Sequence, residues 1–166
     1  MKYIDVLTND DEKLVKRVRK LGFDEIFLLD GNVIKRIDDS KTFELPVYTG
    51  NDVEDLIRKN KIKALKLSDS NLILNKGLCS RLKEANAFVI FDLRSLVEKE
   101  NFFQIYKNFL INGKRCNDYG INGLFVTLAD DENKVKSPIQ LLSFAKAFGY
   151  NEKNFDRSNK NLSKFL

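Results

Sequence analysis

Between Ala87 and Gly149 the chain alternates twice between a short apolar run and an amphipathic one. Ala87–Phe91 (AFVIF) is followed by a long stretch of helical periodicity, residues 100–119. Ile121–Leu128 repeats the apolar run, and Pro138–Phe148 repeats the helical one. Strand–helix units in series restrict a chain to a parallel sheet with helices packed outside it. The second helix is punctuated at both ends. Ser137 is an N-cap candidate, Pro138 takes the first helical position and Gly149 is the stop.

The rest of the chain extends the pattern. Tyr3–Leu7 reads as a strand, and Thr8 or Asn9 is the expected cap of a helix with Leu14, Val15, Val18 and Leu21 on its apolar side. Gly22 ends that helix. Asp24–Asp30 is a buried strand, and Asp30-Gly31 is a turn signal that makes Asn32–Asp38 a hairpin arm. Phe43–Tyr48, interrupted by Pro46, is an edge strand or a strand end. Asn51 caps a short helix through Lys59, Ile62–Leu67 is a strand and Lys76–Glu84 a helix. Asn101–Asn117 is the longest helix, with Phe102, Ile105, Tyr106, Phe109 and Leu110 on one stripe and Gly113 as a mild defect or an early end. Residues 150–166 read as a polar C-terminal tail with a short helix. The count is five or six parallel strands plus a hairpin. A full (β/α)8 barrel needs eight strands and usually ~200 residues or more. The 166 residues therefore make one α/β domain, either a reduced TIM-barrel-like (β/α) fold or an open doubly wound sheet.

Composition narrows the chemistry. The chain has no histidine, which removes most general-base triads and most catalytic zinc sites. Carboxylate-only magnesium sites, lysine chemistry or no chemistry remain. Cys79 and Cys116 form neither a CxxC nor a zinc spacing and are expected to be reduced, packed thiols. No apolar run approaches ~18 residues, so no membrane span is expected. The first residues have no apolar h-region, so a cytoplasmic location is expected. The net charge of +5 is unevenly distributed. Residues 1–57 carry nine basic and thirteen acidic groups, whereas residues 58–94 carry nine basic and three acidic. That asymmetry points to a polyanionic partner for the middle of the chain.

Asp92-Leu93-Arg94-Ser95-Leu96, Lys114-Arg115 with Tyr119-Gly120, Gly123–Leu128 leading to Asp130, and Lys136-Ser137-Pro138 with Gln140-Leu141 and Phe148-Gly149 together resemble one family, protein component 3 of archaeal ribonuclease P, whose eukaryotic counterpart is the thirty-kilodalton ribonuclease P protein. Asp92-Leu93-Arg94-Ser95-Leu96 after a strand is similar to the family's NLR-x-L element. The long helix ends in Lys114-Arg115 and Tyr119-Gly120, like the family's basic and Y-G ending. The strand Gly123–Leu128 leads to Asp130, where the family has a small-residue or Asp-containing turn. Lys136-Ser137-Pro138, Gln140-Leu141 and Phe148-Gly149 resemble the family's R-S-P-x-D-L…L-G helix, with Gln140 in place of an acidic residue. The resemblance implies a barrel related in fold to the polymerase-and-histidinol-phosphatase phosphoesterases, without their metal-binding histidines. It implies a non-catalytic subunit that binds ribonuclease P RNA, pairs with protein component 2 and supports removal of 5′ leaders from precursor tRNA. The precursor tRNA is then an indirect partner. The RNA uses magnesium, and the chain itself needs no cofactor.

The residues expected to carry RNA contact are Arg94, Lys114, Arg115, Lys136, Ser137, Lys61, Lys63, Lys66 and Arg81. Arg94 leads the set because it follows a strand end, where βα loops carry function, and a guanidinium grips phosphate with two parallel hydrogen bonds. Its competing role is an ion pair with a strand-end carboxylate. Lys136 and Ser137 precede a helix N-terminus, which also attracts phosphate. The alternative function is a magnesium-dependent phosphoesterase. Asp5, Asp30, Asp92 and Asp130 all lie near strand C-termini, and Asp5, Asp92 and Asp130 are its candidate metal ligands.

Overall fold

The computed structural model of the protein describes residues 1–37, 44–49, 53–59, 62–67, 72–98 and 100–165. The expected contributions of Lys61, Phe43 and Asn51 lie outside the described residues. In chain order the elements are β1 (Ile4–Leu7), α1 (Glu12–Lys20), β2 (Glu25–Asp30), β3 (Val33–Arg36), β4 (Leu45–Tyr48), α2 (Val53–Arg58) and β5 (Ala64–Lys66). They continue with α3 (Lys76–Glu84), β6 (Phe88–Asp92), α4 (Ser95–Glu98), α5 (Phe102–Tyr119), β7 (Asn122–Val126), α6 (Pro138–Ala147) and α7 (Glu152–Phe165).

The seven strands pair in sequence order. All neighbours run parallel except β3, which is antiparallel to both β2 and β4. The hairpin turns at Gly31, whose φ of 58° is the left-handed conformation that glycine adopts without strain. The sheet curls until its first and last strands meet. Leu7 bridges Ala129 in parallel, and Thr8 N donates to Ala129 O at 3.0 Å. The result is a nearly closed, reduced TIM-barrel-like (β/α) fold in a single domain, and the open doubly wound sheet is set aside.

Side chains alternate across each strand, and in a barrel both faces are buried. Ile4, Val6, Phe27, Leu29, Ile34, Phe88, Ile90, Leu124 and Val126 fill the interior together with Leu162 from α7. The opposite faces, with Leu65, Val89, Phe91 and Phe125, pack under the helices. There Phe91 and Phe125 stack at 4.4 Å, and Phe109 of α5 meets Phe91 edge-on at 5.4 Å. Gly113 is not a defect. A Cβ there would lie 2.4 Å from Phe148 O, so the glycine admits the end of α6 against α5, and the helix runs on to Tyr119.

The C-terminal segment is more than a polar tail. Residues 152–165 form α7, which lies across the end of the barrel where the strands begin. Asp156 Oδ1 accepts from Lys2 N at 2.8 Å, Asn159 Nδ2 donates to Lys2 O at 2.9 Å, and Asn161 Nδ2 donates to Asn122 Oδ1 at 2.8 Å. Arg36 donates to Ser163 O at 2.8 Å, and Phe165 meets Phe88 edge-on at 6.0 Å. The asparagines of this segment hydrogen-bond strand-end groups that would otherwise lack partners.

Candidate nucleic-acid interface

The strands of a barrel end at its mouth, where the βα loops begin. Alternation puts Lys66 of β5 and Asp92 of β6 on the interior side of this end, in line with Ala64, Phe88 and Ile90. Burial pushes the Asp92 carboxyl above the ordinary carboxylate range, and the charges of Lys66 and Arg94 partly offset that shift. Asp92 Oδ1 accepts from Arg94 N at 3.1 Å, and Ser95 Oγ donates to Asp92 O at 2.6 Å, which starts the short helix α4.

Arg94 is half-buried in a cluster of charges. Its guanidinium lies 3.4 Å from Asp130 and 3.6 Å from Glu98. Lys134 completes the cluster at 2.8 Å from Asp130, 2.9 Å from Glu98 and 3.5 Å from Asp131. Lys134 holds the Asp130 carboxyl below its ordinary range, and the two carboxylates in turn push the Lys134 ammonium up. The ion-pair role weighed for Arg94 is thus present in the structure. A phosphate would have to compete with Asp130 and Glu98 for it.

The other expected contacts are dispersed. Lys63, at the beginning of β5, donates to Ala85 O at 3.2 Å at the opposite end of the barrel from Lys66. Arg81 is exposed on α3 and donates to Arg58 O at 2.7 Å, joining α3 to α2. Arg115 is half-buried and donates to Leu74 O, tying α5 to the approach to α3, while Lys114 beside it is exposed. Ser137 caps α6 in a capping box: its Oγ accepts from Gln140 N at 3.3 Å, and Gln140 Oε1 accepts from Ser137 N at 2.8 Å. Lys136 is half-buried at that entrance. The structure brings Lys66 and Arg94 together around Asp92. It does not join Lys63, Arg81, Lys114 and Arg115 to them.

The three candidate metal ligands do not converge. Asp5 lies on the outer face of β1, opposite Ile4 and Val6, and is fully buried. Its Oδ1 accepts from Val6 N and Thr127 N, both at 2.9 Å, and its Oδ2 from Thr127 Oγ1 at 2.7 Å. It closes the seam between β1 and β7 where backbone pairing is interrupted. Leu128, with φ of 45°, bends the chain there, so β7 ends at Val126 and not at the expected Leu128. Desolvation pushes the Asp5 carboxyl up to about 7 despite these donors. Asp92 faces the interior and Asp130 is held by cations, so the outward Asp5 shares no site with them. Asp30 is paired at the hairpin with Lys35 at 2.6 Å. Among the described residues no group of three metal-binding side chains occurs.

Two surface features were missed in the residue list drawn from the sequence. The first is α1, capped by Asp11 and not by Thr8 or Asn9. Leu14, Val15 and Val18 face the core, and Lys13, Lys16, Arg17, Arg19 and Lys20 are all exposed. The acidic average of residues 1–57 concealed them, although the apolar stripe already placed every cation on the other side. The second is α5. Ile105 and Phe109 are buried, but Phe102, Tyr106 and Leu110 of the expected core stripe stay exposed, with Phe103 at 85%. No helix is long and apolar enough to cross a membrane, among the described residues. Cys79 and Cys116 are buried free thiols. Set against known protein families and curated proteins, the sequence matches none.

Proposed function

We propose that the chain is a non-catalytic RNA-binding subunit of ribonuclease P, paired with protein component 2 and supporting the catalytic RNA in removing 5′ leaders from precursor tRNA. The observation that carries the reading is the disposition of charge. At the mouth, where a barrel enzyme keeps its reactive groups, Asp130 and Glu98 are already held by Lys134 and Arg94. Cations meanwhile stand exposed on α1 and α3. A surface of that kind suits a phosphate backbone better than a metal ion and a small phosphoester. The order strand, long helix, strand, capped helix from β6 to α6 supports the family resemblance of residues 87–149.

The test is precursor-tRNA cleavage by the cognate ribonuclease P RNA at low Mg2+, comparing component 2 alone with component 2 plus this chain. Strong stimulation is expected. A folded protein that gives no stimulation overturns the assignment, and the strand-end carboxylates would then be screened against phosphoesters.

A further inference from the structure

Three cations of α1, Lys13, Arg17 and Lys20, differ from those at the mouth in having no ion-pair partner among the described residues. Lys13, Lys16, Arg17 and Lys20 follow the i, i+3, i+4, i+7 spacing of one helix face and line a shallow concavity of about 320 Å3 with Glu132 at its edge. Of these four, Lys16 is paired with Glu12 of the same helix at 2.5 Å. Among the described residues, Lys13, Arg17 and Lys20 have no ion pair. Like charges at these spacings destabilise a helix. Basic residues near a helix C-terminus gain from its dipole, which accounts for Arg17 and Lys20 but not for Lys13 in the first turn. Three of the four cations on this face are unpaired among the described residues, and the concave arrangement brings them toward one another.

We propose that this face of α1 is the principal phosphate-backbone contact of the protein with RNA. The inference rests on the RNA-binding reading above and places its main surface outside the residues expected from the sequence. Lys13 and Lys20 are seven residues apart, about 10 Å along the helix axis at ~1.5 Å per residue. The mouth cations contribute less, because Asp130 and Glu98 compete for them.

The experiment uses the full chain and a fluorescently labelled single-stranded RNA of about twenty nucleotides, with affinity measured by anisotropy across a salt series. The triple variant Lys13→Gln, Arg17→Gln, Lys20→Gln removes the three unpaired cations. Each lost phosphate contact lowers the slope of log K against log salt by ~0.7 for single strands. The slope is therefore expected to fall by about 2, with affinity at 100 mM salt reduced ~10-fold or more. All three side chains are exposed, so the melting temperature should be unchanged, and Lys13→Arg with Lys20→Arg should retain binding. Unchanged affinity and slope in the triple variant overturn the inference. So does a wild-type protein that fails to bind the RNA at low salt, or one from which polyglutamate displaces it equally well per charge. Precursor-tRNA cleavage separates the two readings. Wild-type stimulation fully retained by the triple variant overturns the α1 surface and leaves the subunit assignment standing. Binding lost in the triple variant, with no stimulation by wild type, does the reverse.

Discussion

The seam between β1 and β7 and the lip of the mouth are both built around an aspartate near a strand end, Asp5 in one and Asp130 in the other. The two carboxylates are in opposite electrostatic states. Asp5 is stripped of water, has no cation beside it among the described residues and is held by two backbone N–H groups and one hydroxyl, and its carboxyl is pushed up to about 7. Asp130 is accessible, bound by Lys134 and Arg94, and titrates below its ordinary range. One residue type at similar topological positions serves as a structural clasp in one place and as a neutraliser of cations in the other. The difference comes from which face of the sheet the side chain leaves and which charges the following loop brings near it.

The comparison breaks most visibly at the clasp. Asp5→Ala is expected to destabilise the fold by roughly 2–4 kcal/mol, because it strands buried donors and leaves a cavity at the barrel closure. Chemical denaturation at neutral pH measures it, and a loss below about 0.5 kcal/mol would show that the seam does not depend on Asp5.

The next effect is a pH dependence. The folded-state value of Asp5 lies above its ordinary 3.8, so the stability it confers is complete below that value and is lost as pH rises through about 7. Asp92, also raised by burial, acts in the same direction. Stability should therefore decline across that window by an amount on the order of a few kcal/mol. Asp5→Asn keeps the acceptor for Val6 and Thr127 N–H and cannot ionise. The variant should flatten most of the decline and equal or exceed the wild type at pH 8. A variant with the same pH profile as the wild type would show that Asp5 stays ionised in its buried site.

The smallest expected effect on stability comes from the lip. Asp130→Ala removes a half-exposed ion-pair partner, and such pairs typically contribute about 1 kcal/mol or less. It releases Arg94 and Lys134 from one partner, so RNA binding should steepen in its salt dependence by roughly 0.7 per cation that gains a phosphate. Arg94→Ala in the wild-type background should then cost less RNA affinity than loss of the α1 cations. The reverse order would make the mouth the principal surface.

Local features were the most legible in the sequence. Ser137, Pro138, Gln140 and Gly149 specify α6 through caps and dihedral preferences that need only neighbouring residues. Lys76–Glu84 and the Asp30-Gly31 hairpin turn were readable for the same reason. The apolar rows of α5 were not. Periodicity marks two adjacent rows, 105–109 and 102–106–110, as equally apolar, and only packing against β6 and β7 buries the first and leaves the second exposed. Gly113 read as a helix defect because the Phe148 backbone it admits is 35 positions away in the chain. Arg94 was legible as a functional or paired arginine, and its partners are Glu98 at the end of α4 and Asp130 from the loop that follows β7.

By itself the sequence determined the strand–helix order, the ends of its best-capped helices, the absence of histidine chemistry and the amphipathicity of α1. These follow from dihedral preferences, side-chain period and composition, which act over a few residues. Only the tertiary structure decided that the sheet nearly closes, that Asp5 faces away from Asp92, that α7 seals the barrel's end and that Lys13, Arg17 and Lys20 of α1 meet no carboxylate among the described residues, in contrast to Arg94. Each of these depends on groups brought together from distant parts of the chain. Burial and charge pairing are properties of such neighbourhoods, and no local pattern encodes them.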